Sequence, residues 1–178
     1  MRTPEPGEIK LQGWVAVAEG ATGILFYATV ATAPGEHQLW DAGWTETANT
    51  RAAGELFERL SRVAPVLCRL EREDGEADFV ASSNPRVLAH RFVKRAPQAG
   101  TARYVVLASL DGFDRQQLDL TIQRGEQRVY DLIARQDVTD SLRSIALPPG
   151  EGGLLLVGTP ADFDADCRLI DAALPAGR

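Results

Sequence analysis

The chain has 178 residues, 44% hydrophobic and 25% charged, enough for one large domain or a small domain with an appendage and too apolar for wholesale disorder. With a net charge of −6 and no basic stripe along the chain, no nucleic acid is expected as partner. The densest basic spot, Val93-Lys94-Arg95, is too small to track phosphates. The longest apolar runs fall short of the roughly 20 residues that a membrane-spanning helix needs, so no membrane is expected as partner.

The first predicted element is a helix after Pro6. Pro4 and Pro6 suit a first turn, where a missing N–H is not needed, and Glu5 and Glu8 favour the positive end of the helix dipole. Ile9, Trp14 and Val17 give it an apolar face, and Gly20 fits the left-handed residue that follows a helix. Ile24 to Val30 follows without polar alternation and predicts a strand buried on both faces. A loop over 31–45 carries His37, Trp40, Asp41 and Trp44. Glu46 to Ala64 is a second predicted helix, with Leu56, Phe57, Leu60 and Val63 at helical spacing and Pro65 as its end.

Beyond Pro65 the period changes to two. Val66–Glu73, Ala77–Ser82, Val87–Lys94, Ala102–Leu110, Gln117–Gln123, Gln127–Ile133, Leu142–Leu147 and Gly153–Val157 read as short strands. Asp74-Gly75, Asp111-Gly112 and Arg124-Gly125 stand between them as turns, Asp74-Gly75 being a strong hairpin signal. Such spacing predicts an antiparallel sandwich. Ala161 to Ala173, with Phe163, Cys167 and Ile170 at three- to four-residue intervals, closes the chain with a short helix. The expected class is α+β. The composition break at Pro65 marks the expected boundary between residues 1–65 and residues 66–178.

The layout resembles the end of a beta-galactosidase-like or related retaining glycoside hydrolase. The residues that carry the resemblance are Pro4, Glu8, Ile9, Trp14, Ala16, Val17, Ala18, Gly20, Ala21, Gly23 and Ile24, then Leu60, Ala64, Pro65, Val66 and Leu67, then Arg103 to Val106. The resemblance implies that residues 1–65 are terminal units of a (β/α)8 barrel, a helix–strand–helix remnant, and that residues 66–178 are a C-terminal β-sandwich with a tail helix. Retaining hydrolases need two carboxylates about 5 Å apart. The resemblance implies that both positions precede Met1, so no catalytic residue is expected here. The expected function is that of a C-terminal fragment or accessory domain, not catalytically competent alone. The alternative is a stand-alone carbohydrate-binding or protein-interaction module. Expected partners are a carbohydrate, the remainder of a barrel, or a second copy paired through Ile24–Val30.

At the C-terminal end of that strand, where barrel sites form, His37, Trp40, Asp41 and Trp44 offer aromatic platforms and polar groups for a sugar; their plainer role is packing. Glu8 and Glu19 lie about 16 Å apart along a helix, too far to cooperate. His90 alternates with Leu88 and Phe92 on one strand face and reads as a packed side chain. With only two histidines, and with Asp162, Asp164 and Asp166 lacking the later Gly and Glu of a calcium loop, no metal and no cofactor are expected. Cys68 and Cys167 read as two reduced thiols, although a bridge between them is not excluded.

Overall fold

A computed structural model describes residues 4–26, 40, 45–73, 79–95 and 100–173. They form a mixed α+β structure of three α-helices, α1 (Pro6–Ala18), α2 (Ala48–Leu67) and α3 (Pro160–Ala173), and antiparallel strands. The main sheet has six strands in the order β1 (Leu70–Arg72), β3 (Val87–Lys94), β4 (Arg103–Ser109), β10 (Gly152–Gly158), β7 (Arg128–Asp131) and β8 (Gln136–Asp137). Two small ribbons pair β2 (Val80–Ser82) with β6 (Leu120–Ile122), and β5 (Gln116–Leu118) with β9 (Ile145–Leu147).

The helices cover one face of the main sheet and the ribbons the other. Alternation along the central strands decides which side chain meets which layer. From β4, Tyr104, Val106 and Ala108 join Leu154 and Leu156 of β10 in the core shared with Trp14, Leu56, Val63 and Ile170 of the helices. Val105, Leu107, Leu155 and Val157 point the other way, onto Phe79, Leu118, Leu120 and Leu147. The two central strands thus read as continuous apolar runs although the sheet is antiparallel, because both faces are covered. The helix-side core is shared across the expected boundary at residue 65, since α1 and α2 bury Trp14, Leu56 and Val66 with β4 and β10.

Each helix is set by local chemistry. Glu5 N–H donates to Glu8 Oε2 at 2.9 Å to open α1. Its end is closed by Ala21 N–H to Ala16 O at 2.9 Å, with Gly20 at φ +93°, a conformation only glycine takes without strain. Thr47 and Thr50 exchange backbone-to-side-chain bonds at the start of α2, as Thr159 and Asp162 do at α3. Close approach of α1 to its neighbours needs small residues. A Cβ at Gly13 would lie 2.4 Å from Leu56 Cδ2, and one at Gly152 would lie 2.3 Å from Leu107 O and 2.5 Å from the Trp14 ring.

Three local expectations need correction. Pro65 does not end α2, which runs on through Leu67 with Cys68 N–H bonded to Ala64 O at 2.9 Å. A proline inside a helix costs about 3 kcal/mol. Burial of Val66 to 0% exposure offsets an amount of the same order. The strand expected over Val66–Glu73 is accordingly confined to Leu70–Arg72. It pairs with β3, Leu70 opposite Lys94, and not with β2 as the Asp74-Gly75 turn signal suggested; residues 74–78 lie outside the described ones. In the expected strand Ile24–Val30, the residues Ile24, Leu25 and Phe26 make no strand pairing, and 27–30 lie outside the described residues.

Candidate functional site

Of the sugar-binding loop expected at His37, Trp40, Asp41 and Trp44, only Trp40 is among the described residues; His37, Asp41 and Trp44 lie outside them. Trp40 is half-buried and forms an isolated antiparallel bridge with Glu46, just before α2. The two helix carboxylates have structural partners. Glu8 caps α1, and Glu19 pairs with Arg72 and lies 3.3 Å from His90 Nε2. His90 shares its strand face with Leu88 and Phe92, which pack in the helix-side core, as the alternation requires. Among the described residues no group of three or more His, Cys, Asp or Glu side chains could hold a metal ion. Cys68 and Cys167 are both free thiols, and burial pushes the Cys167 thiol above its ordinary range. Among the described residues no helix is long and apolar enough to cross a membrane.

Three features remain that could carry function. The first is an apolar groove of about 170 Å³ between the end of α1, α2 and the β1–β3 edge, lined among others by Val17, Ile24, Phe57, Leu60, Leu67 and Phe92. Phe26 meets Phe57 edge to face, with ring centroids 5.6 Å apart, while Phe57 stays 41% exposed and Leu25 90% exposed.

The second is a charged network under α1. Glu151, 5% exposed, takes Lys10 Nζ at 3.1 Å on one oxygen and Arg59 Nε at 3.3 Å on the other, and Lys10 also reaches Glu55. Burial alone would lower the Lys10 ammonium; its bonds to Glu55 and Glu151 outweigh this and hold its pKa above the ordinary value. Lys10 and Arg59 come from α1 and α2 and Glu151 immediately precedes β10, so the network ties the helices to the sheet.

The third is Asp166 on α3, 1% exposed, which accepts from Tyr104 Oη at 2.7 Å and from Lys94 Nζ at 2.9 Å. Burial, and then the carboxylate of Asp166, push the Tyr104 phenol far above its ordinary range, so it remains a donor. The missing Gly and Glu set Asp162, Asp164 and Asp166 apart from a calcium loop but do not distinguish the three from one another. Asp162 does cap α3, but Asp166 does not. The missed signal is position: Asp166 is three residues after Phe163 and four before Ile170, inside the apolar stripe.

In the second and third features the carboxylates of Glu151 and Asp166 face cations or a hydroxyl donor from the chain itself, an arrangement that holds elements together. Comparison with known proteins finds neither a family model nor a curated protein that matches this chain.

Proposed function

We propose that this chain is the non-catalytic C-terminal part of a glycoside-hydrolase-like protein, an accessory α+β unit whose chemistry is supplied by a barrel encoded with it. The observation that carries the reading is the apolar surface at the end of α1. Leu25 is 90% exposed and Phe57 41%, beside a groove lined by Ile24, Leu60 and Phe92. Apolar residues gathered at one place on a surface mark a contact with further protein. In the family this chain resembles, the same stretch is where the last barrel strand begins. The matching residues Glu8, Ile9, Trp14 and Gly20 support the reading too, because they fall on one helix and its left-handed stop.

On this reading the six-stranded sheet and its helices buttress the barrel, and a carbohydrate contact belongs to the region around Trp40. The natural reading frame immediately upstream of Met1 tests the proposal. About six or seven further βα units with two strand-end Glu residues are expected there. A frame that opens at Met1 behind unrelated coding sequence overturns it.

A further inference from the structure

We propose that the depression where α3 meets the β1–β3 edge binds a phosphate or sulfate group, free or as a monoester. The cavity, about 420 Å³, is lined by Arg69, Lys94, Ala165, Asp166, Arg168 and Leu169. Three of these six residues are cations and one is an acid, in a chain that carries 25 acids against 19 bases. The acid is already neutralised, with Lys94 Nζ on one oxygen of Asp166 and Tyr104 Oη on the other. Neither Arg69 nor Arg168 has a carboxylate partner among the described residues, and both are exposed.

The three cations come from separate elements fixed against one another. Leu70 pairs with Lys94 across β1 and β3, and Arg95 N–H donates to Arg69 O at 2.8 Å, which sets Arg69 beside the end of β3. The Asp166–Lys94 bond fixes α3, and with it Arg168, to the same strand end. The two guanidinium groups of Arg69 and Arg168, lining one concavity beside the Lys94–Asp166 pair, match a group with several anionic oxygens, because each planar guanidinium can give two parallel hydrogen bonds to it. Lys94 belongs to the densest basic spot in the sequence, and the fold adds Arg69 and Arg168 from 25 and 74 positions away. The inference does not rest on the accessory-domain reading, and either can fail without the other.

Amide NMR of the whole chain, titrated with sodium phosphate and with phenyl phosphate at constant ionic strength, tests it. Saturable shifts centred on Arg69, Lys94, Arg95, Arg168 and Leu169 are expected, with sodium chloride at the same ionic strength producing none. The R69Q/R168Q variant, both of whose changes lie on exposed side chains, should bind at least tenfold more weakly with the remaining spectrum unchanged. R168Q alone should lose several-fold and serves if the double variant folds poorly. Saturation by phosphate alone assigns a free ion, and saturation by both probes assigns a site open to monoesters. Absence of saturable shifts with either probe, shifts reproduced by chloride, or unchanged binding by the variants overturns the proposal.

Discussion

Tyr104 Oη donates to Asp166 Oδ2 at 2.7 Å, joining the centre of the main sheet to α3 through a carboxylate that is 1% exposed. Lys94 Nζ holds the other oxygen at 2.9 Å, so this buried charge has a donor on each side. Burying a charge is tolerated only when it is paired and hydrogen-bonded, and removal of one partner costs more than the pair contributes.

Tyr104→Phe should therefore destabilise the chain by about 1.5–3 kcal/mol, the range for a hydrogen bond to a charged group. Asp166→Ala should cost about 3–5 kcal/mol, because it leaves Lys94 and Tyr104 without their acceptor. Urea unfolding followed by circular dichroism measures both. Equal, sub-kilocalorie losses would show that the three side chains do not act as a unit.

Two glycines should respond in opposite directions. Gly54 lies in α2, and a Cβ added there would meet nothing within 4 Å, so Gly54→Ala should stabilise by about 0.5–1 kcal/mol through helix propensity alone. Gly152 faces the Leu107 carbonyl and the Trp14 ring, so Gly152→Ala should destabilise by about 1–3 kcal/mol as β10 or α1 is pushed away. Thermal unfolding of the two variants gives the signs directly. A tolerated Gly152→Ala would mean that α1 does not sit tightly on the sheet.

Acid should weaken the fold through Asp111 and Asp137. Asp111 Oδ1 accepts the N–H groups of Asp114 and Phe113 at 3.0 and 2.9 Å, and Arg86 lies 2.7 Å from Oδ2, which together hold its carboxyl below the usual range. Asp137 is held low first by Thr139, then by Arg128. A carboxyl with a depressed folded pKa binds fewer protons folded than unfolded. Its contribution is complete above the unfolded value of about 3.9 and is lost as pH falls through the lower folded value. The urea midpoint should fall as the pH drops below about 4, and D111N/D137N should flatten that decline. An unchanged slope in the double variant would remove these two groups from the account.

How far the sequence led differs from element to element. The strand over Val87–Lys94 was legible to the residue, because period-two alternation there coincides with burial on two sides. Helices α1 and α3 were legible from Pro6, Gly20 and the spacing of Phe163 and Ile170. The continuation of α2 through Pro65 was not, because the burial of Val66 that sustains it is a property of the assembled core. Nor was the partner of β1. A turn signal such as Asp74-Gly75 is local, whereas Leu70 belongs to the helix-side core and Phe79 to the opposite one, which places β1 and β2 on different layers. Of the expected sugar-binding residues, Trp40 alone can be placed, at a bridge to Glu46. The convergence of Arg69, Lys94 and Arg168 is invisible in sequence because it depends on that same β1–β3 pairing and on the seating of α3.

The central claim, that this chain carries no glycosidase chemistry of its own, is tested most directly by assaying the purified chain against a panel of aryl glycosides across pH 4–8. The account predicts no release of the aryl group above the buffer blank. Turnover that a single Asp or Glu substitution within residues 1–178 abolishes would contradict it.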